Sequence, residues 1–130
     1  MGAEKKPIAF SVPTGNSGDI LAGYLAKKMG LPVGQLVIAT NKNNVLHRVM
    51  SDAVYARTEL YQTLSPSMDI SVSSNFERLM FDLYESDGST INALMQQFNS
   101  ESITLNKAAM KKARALFSSA SIDDQATCDI

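Results

Sequence analysis

At 130 residues the chain is long enough to form one domain with a hydrophobic core of ordinary size. Its formal net charge of -1 gives no argument for a nucleic-acid partner or an acidic membrane surface, and neither is predicted. The single cysteine, Cys128, excludes a disulfide within the chain and suits a reducing compartment. No apolar run reaches transmembrane length, and residues 1–6 lack the apolar segment of a signal peptide. These features predict a soluble, cytoplasmic protein.

The first elements along the chain are predicted to be a strand, a turn with two glycines, and a helix. Ile8, Phe10 and Val12 alternate with smaller residues, which favours a strand that Pro13 ends. Apolar residues then recur at helical spacing until Gly30 and Pro32 end the helix. These helical positions are Ile20, Leu21, Tyr24, Leu25 and Met29.

The turn from Thr14 to Asp19 has the composition of an anion site. Gly15 and Gly18 leave the backbone accessible, so its N–H groups and the positive end of the helix can face a phosphate. Asn16 suits the N-cap position, and Asp19 suits the acidic position of a capping box. We expect the Asp19 side chain to turn back onto the cap, because a carboxylate aimed at a phosphate would repel it. Spacing alone leaves a plain capped turn as an equal alternative.

A second strand completes a βαβ unit. Leu36 to Ala39 form a short apolar run, typical of a strand buried on both faces of a parallel sheet. Ligands of such sheets bind at the carboxyl ends of the strands, where Thr14 to Asp19 and Thr40-Asn41 both fall. The two turns are therefore expected to line one crevice.

A short helix capped by Asn44 should follow, with Val45, Leu46, Val49 and Met50 on its apolar side. His47 has no cysteine or acidic cluster at ligand spacing beside it, so no metal site is predicted. Arg48 could pair with an anionic substrate, or it could simply lie on a solvated helix face.

Residues 53–73 show no clear period and are predicted to form a loop with a turn at Ser65-Pro66. A loop of this length is usually functional or contains an unrecognised element.

Residues 74–130 are predicted to be mainly helical. The run from Ser74 to Glu77 matches a capping box before a helix that ends near Gly88. A second helix starts at Ser89 or Thr90, and Asn106 caps a last one that includes Phe117; Ile103 to Leu105 are too few to assign. Asp123 to Ile130 are expected to be a frayed or truncated end. The outward basic residues of the last helix form a solvated face: Lys107, Lys111, Lys112 and Arg114.

Three stretches in order and at matching spacing carry a family resemblance: SVPTGNSGDILAGYLAKKMGLP, LVIATNKNNVLHR and TLSPSMDISVSSNFERLMF. Together they resemble the middle of threonine synthase, a pyridoxal-phosphate enzyme of the tryptophan-synthase-β structural group, over most of residues 8–86. The resemblance implies that the turn binds the phosphate of pyridoxal 5'-phosphate. Gly15, Asn16, Gly18 and Asp19 match the family motif, while Ser17 stands where the family usually has Phe. The Ser17 hydroxyl is expected to add a donor.

The family converts O-phospho-L-homoserine and water to L-threonine and phosphate, with the cofactor as electron sink. The resemblance implies a Schiff-base lysine upstream of the turn, and Lys5 and Lys6 do not match its context. No catalytic residue is therefore predicted within this chain. The chain is expected to be an internal fragment of a longer enzyme, inactive alone, whose partners are the remaining parts of the parent chain.

Other residues in the family-patterned segments are implied to lie near the active-site side: Asn41, Asn44, Arg48, Ser67, Asp69, Asn75 and Arg78. Arg48, Asn75 and Arg78 are the candidate substrate-binding residues among them. Asn44 departs from the family, which often has Asp there. For each residue, a structural role in a loop, cap or helix face remains the alternative.

The predicted fold class is α/β: a βαβ unit of a large cofactor domain, with a parallel sheet flanked by helices, followed by a mostly helical segment. Residues 1–130 are predicted to be a single fragment, divided into 7–52, the loop 53–73 and the helical part 74–130. The alternative to a portion of threonine synthase is a non-catalytic phosphate-binding or regulatory α/β module. An upstream segment with the Schiff-base lysine in the parent gene would distinguish the two.

Overall fold

The computed structural model describes residues 6–130; residues 1–5, which include Lys5, lie outside the described part. Strands and helices follow one another as β1 (Ile8–Pro13), α1 (Gly18–Lys28), β2 (Val33–Thr40), α2 (Val45–Asp52), β3 (Val54–Tyr55), α3 (Phe76–Leu83), α4 (Gly88–Phe98), β4 (Ile103–Thr104), α5 (Lys107–Leu116), β5 (Phe117–Ser121) and α6 (Asp124–Cys128). One 3-10 turn, Pro66–Met68, lies between β3 and α3.

The central feature is a parallel sheet with the strand order β1-β2-β5. In its register Phe10 pairs with Leu36, and Leu36 pairs with Phe117. The sheet confirms the α/β class and the predicted parallel pairing across the first βαβ unit. β1 is an edge strand, and its side chains Ile8 and Phe10 remain 59% and 43% exposed.

β5 lies in the segment that the sequence predicted to be mainly helical. The placement of Phe117 in the last helix was wrong, because α5 ends at Leu116 and Phe117 begins a strand. Phe117 is buried with its ring centroid 5.8 Å from that of Tyr24 on α1. The rest of β5 consists of Ser and Ala, which have little preference for strands. The strand therefore forms because it hydrogen-bonds to β2 and because Phe117 is buried.

The end of the chain is also more regular than the sequence indicated. Asp123 to Ile130 were expected to fray, but Asp124–Cys128 form α6. The Asp123 carboxylate accepts a hydrogen bond from the Ala126 N–H at 2.8 Å, which makes it the N-cap.

Residues 53–73 contain an element that their sequence did not reveal. Val54 and Tyr55 form β3, which pairs antiparallel with Ile103 and Thr104 of β4. Tyr55 is buried and stacks on Phe98, with ring centroids 4.3 Å apart. Two paired residues are too few to give a periodic signal, so only the long-range packing identifies them.

One predicted helix cap was wrong, one helix begins before its predicted start at Ser89 or Thr90, and one cap is confirmed. Asn75, rather than Ser74, occupies the N-cap of α3, and its side chain makes no capping bond. α4 begins at Gly88, because the Asp87 carboxylate accepts from the backbone N–H groups of Ser89 and Thr90. Asn106 caps α5 as predicted and accepts from the Ala109 N–H at 2.8 Å.

The core lies between the sheet and the helices and supports the edge where β1 and β2 end. Leu36 of β2, Ile20 of α1, Val49 of α2 and Met80 of α3 are each 1% exposed or less. Among the described residues, no helix has both the length and the apolar character that crossing a membrane requires.

Replacing Met80 by Ala should destabilise the fold by about 2–5 kcal/mol, because the buried side chain leaves a cavity. Met29 is 83% exposed, so Met29→Ala is the matched control and should change the free energy of unfolding by less than about 0.5 kcal/mol. Urea unfolding of both variants measures the difference. Equal effects would contradict the placement of α3 against the core.

Candidate anion-binding site

The turn that follows β1 lies at the carboxyl edge of the sheet. The Thr14 N–H donates to the Ala39 carbonyl at 2.7 Å, which joins the start of the turn to the end of β2. Thr40 and Asn41 are both buried beside it. The two predicted loops therefore meet at one edge, as expected for a parallel sheet.

Ser17 gives the turn its shape. It is the N-cap residue of α1 and has φ 68° and ψ 8°, the left-handed conformation. For a residue other than glycine this conformation costs about 1–2 kcal/mol, so surrounding contacts must stabilise it. Asn16 was predicted to be the N-cap, but it precedes that position, and its side-chain Oδ1 accepts from the Gly18 N–H at 2.9 Å.

The turn and the first helical residues present a row of backbone donors. Within residues 6–130, the N–H groups of Gly15, Asn16 and Ser17 bond to no acceptor. Asp19 and Ile20 occupy the first turn of α1, where an N–H has no partner inside the helix. The positive end of the helix dipole adds to the potential, so this region can bind an anion.

The polar side chains of the turn take other roles than those predicted. Ser17 is 1% exposed and its hydroxyl lies 2.5 Å from the Ser73 hydroxyl, so it adds no outward donor. The Asp19 carboxylate accepts no hydrogen bond among the described residues, and it lines the groove between β1 and α1. The prediction that it would turn back onto the cap was wrong, because the Asp19 side chain lies toward the groove and leaves the N–H groups of Asn16 and Ser17 unbonded within the described part of the chain.

Residues 67–75, called here the clamp loop, lie against the turn. The Asn75 N–H donates to the Asn16 carbonyl at 2.9 Å, and the Ser73 hydroxyl donates to the Gly15 carbonyl at 2.9 Å. A Cβ atom at Gly15 would lie 3.4 Å from the Met68 Cα and from the Ser67 carbonyl oxygen. A side chain at position 15 would therefore begin in van der Waals contact with the clamp loop, and the glycine leaves that space beside the turn open.

Asp69 connects the clamp loop to the end of β2. Its carboxylate accepts from the Asn41 and Asn43 side-chain amides, from the Thr63 hydroxyl and from the Thr63 N–H, all at 2.7–2.9 Å. Loss of solvent raises the pKa of Asp69, but the hydrogen bonds from Thr63, Asn41 and Asn43 outweigh this and lower it below its usual value of 3.8. Charge at Asp69 thus helps to fix the loop beside the turn.

The candidate substrate-binding residues divide into two groups. Asn75 lies at the turn, and the Arg78 guanidinium donates to its side-chain oxygen at 3.2 Å. Arg78 also lines a groove of about 480 Å³ between α1, α3 and α4, which Thr14 to Gly18 do not line. Arg48 is on α2 and makes no side-chain hydrogen bond among the described residues.

The remaining residues singled out in the sequence have structural contacts. Asn44 is the N-cap of α2 without a side-chain bond, and Ser67 contributes its carbonyl oxygen beside Gly15. His47 Nδ1 lies 2.8 Å from the Ser119 hydroxyl. Residues 6–130 contain no group of three His, Cys, Asp or Glu side chains that could hold a metal ion.

Sequence reasoning missed the residues that hold the turn from behind. Ser73, Asn43, Thr63 and Tyr55 carried no motif of their own, and each makes a contact with a residue 18 or more positions away. For Ser73, Asn43 and Thr63 the signal was their occurrence in the stretches that resemble the family, whereas Tyr55 lies in none of those stretches. Short polar side chains are common in loops, so that signal did not single them out.

No family model matches the chain. A threonine synthase from Pseudomonas aeruginosa is 51% identical to it over 130 residues, which cover 99% of this chain and 28% of that protein. The pyridoxal-phosphate-bound threonine synthase from Brucella melitensis has the same fold, with a TM-score of 0.90 and 45% identity over 94% of this chain. The chain is homologous to part of threonine synthase.

A second solved structure agrees with this relationship. Threonine synthase from yeast superposes with a TM-score of 0.90 and 38% identity over 97% of this chain. The chain spans 26% of the Brucella threonine synthase and 27% of the yeast enzyme. The homology therefore covers about a quarter of each threonine synthase.

Replacing Asp69 by Asn should destabilise the fold at neutral pH and have a smaller effect in acid. The folded-state pKa of Asp69 is lowered, so its contribution is present above the ordinary value of 3.8 and is lost as the pH falls through the lowered value. Urea unfolding at about pH 7 and about pH 3 measures the difference between wild type and variant.

Asp52→Asn is the control, because the exposed Asp52 carboxylate accepts no hydrogen bond within residues 6–130. A destabilisation by Asp69→Asn that is the same at both pH values would show that charge at Asp69 does not stabilise the loop.

Proposed function

We propose that this chain is the portion of a threonine synthase that anchors the phosphate of pyridoxal 5'-phosphate. The observation that carries the proposal is the row of unbonded N–H groups at Gly15, Asn16 and Ser17, at the start of α1. This row of N–H groups occurs in a chain homologous to threonine synthases, and the Brucella melitensis threonine synthase is bound to pyridoxal phosphate. The predicted binding residues Gly15, Asn16, Ser17, Gly18 and Asp19 are retained in this proposal.

The residues of the turn fit a phosphate group. Gly15 and Gly18 carry no side chain that would keep the anion from the backbone. Asp19 would contribute through its N–H group, since its side chain lines a groove between β1 and α1. Ser17 is buried as a whole residue and would contribute through the left-handed conformation that shapes the turn. Gly18 has its N–H bonded to Asn16, so it would act by leaving room.

Orientation of the cofactor is the chemical role that this chain would supply. Pyridoxal phosphate provides an electron sink for reactions at amino-acid carbons, and its phosphate is the attachment point that the turn would hold. In the complete enzyme the substrate would be O-phospho-L-homoserine and the products L-threonine and phosphate. The Schiff-base lysine and the rest of the pocket would come from other parts of the parent chain, and Arg48, Asn75 and Arg78 remain candidates for substrate binding.

Phosphate binding should shift the backbone amide resonances of Gly15 to Asp19 when inorganic phosphate is titrated to millimolar concentration. Pyridoxine 5'-phosphate is the second probe, because it carries the phosphate and ring but lacks the aldehyde that reacts with lysines. The absence of any shift in this region with either probe would overturn phosphate binding by this chain.

Gly18→Val should weaken binding of both probes by about tenfold or more, equivalent to about 1.4 kcal/mol. The new Cβ would lie 3.1 Å from the Asn16 Oδ1 atom, which displaces that side chain and places methyl groups beside the donors. Gly88→Val is a matched control, because Gly88 is also the first residue of a helix and the nearest atom to its Cβ would be 3.9 Å away. Equal affinities of the two variants would contradict the placement of the phosphate.

A further inference from the structure

We propose that Ser73 is a positioning residue for the anion-binding turn, an inference that rests on the proposed phosphate site. Its hydroxyl would keep Ser17 in the left-handed conformation, and thereby keep the N–H groups of the more exposed residues Gly15 and Asn16 available to the anion. Ser73 would not touch the anion itself. The Ser17 hydroxyl would contribute to the same conformation as the partner of Ser73 in this hydrogen bond.

The direction of the hydrogen bonds follows from counting protons. A serine hydroxyl has one hydrogen to donate and two lone pairs to accept. The Ser73 hydroxyl donates to the Gly15 carbonyl at 2.9 Å, so its bond with Ser17 must use the Ser17 proton. Both hydroxyls lie in residues that are 1% exposed, where water cannot replace a lost partner.

Ser73 is itself held in place by the core. Its carbonyl oxygen accepts from the Tyr55 hydroxyl at 3.2 Å and from the Phe76 N–H at 3.0 Å. Burial raises the pKa of Tyr55 to about 12, so its phenol remains a donor at neutral pH. Because Tyr55 stacks on Phe98, the contacts lead from the packed interior to Ser73 and from there to the turn.

Removing the Ser73 hydroxyl would leave two polar groups without partners. The Gly15 carbonyl would lose its donor, and the Ser17 hydroxyl would lose its acceptor. The left-handed conformation of Ser17 would then have less support, and rotation of the neighbouring peptides would turn N–H groups away from the anion.

Ser73→Ala should weaken binding of inorganic phosphate and pyridoxine 5'-phosphate to the 130-residue chain by about fivefold to tenfold, because two buried hydrogen bonds that hold the turn are lost. Ser74→Ala makes the same chemical change one residue away at an exposed position, and should leave the affinity unchanged. Amide shifts give the dissociation constants, and urea unfolding checks that each variant is folded. Equal affinities of Ser73→Ala and wild type would overturn the inference.

A glycine at position 17 tests the conformational explanation. Glycine adopts the left-handed conformation without strain, so Ser17→Gly in the Ser73→Ala background should recover most of the lost affinity. A loss of packing alone would not be recovered by this change. Failure of the recovery would overturn the role assigned to Ser73.

A second comparison leaves Ser73 intact and applies even if Ser73→Ala does not fold. Ser17→Ala and Ser17→Gly both remove the hydroxyl, but only alanine is strained at φ 68°. Alanine should bind the probes several-fold more weakly than glycine, and equal affinities would overturn the inference. If wild type binds neither probe, the proposed phosphate site itself fails, which is distinct from any of these results.

Discussion

Contact between the clamp loop and the turn after β1 is the constraint on which the candidate site depends. Strand pairing positions Thr14 next to Ala39, but it does not fix the residues beyond Thr14. That requires the bonds from Ser73 and Asn75 to the carbonyls of Gly15 and Asn16. In a trans peptide the C=O and the following N–H point in opposite directions. Because the carbonyls of Gly15 and Asn16 are bonded to the clamp loop, the N–H groups of the same two peptides point away from that loop.

The network around Asp69 holds the clamp loop at a second point. The Asp69 carboxylate accepts hydrogen bonds from Asn41, Asn43 and Thr63, and so attaches the clamp loop to the carboxyl end of β2. The anchor is polar because the segments it joins are irregular and have few apolar side chains to pack. A carboxylate has about four lone-pair sites and can accept all four of these hydrogen bonds, whereas a neutral amide oxygen has only two.

The sequence predicts those parts of the fold that depend on local patterns. Alternation in β1, the apolar run in β2 and the helical period of α1 each occur within a few residues, and all three elements form. β5 and the β3–β4 pair depend on partners far along the chain, and neither has a distinctive composition. At the site, glycine spacing indicated an accessible backbone, but the inward direction of the Ser17 hydroxyl depends on Ser73, 56 residues away.

This separation in sequence has a consequence for how the chain folds. A strand-turn-helix can form early because its contacts are local, but the bond between Ser17 and Ser73 closes a loop of 56 residues. The support of the left-handed turn therefore depends on a contact that spans α1, β2, α2 and β3, and not on the strand-turn-helix alone. Competence to bind an anion thus becomes a property of the folded chain, and a short peptide with only β1, the turn and α1 would lack the contact that holds the turn in shape.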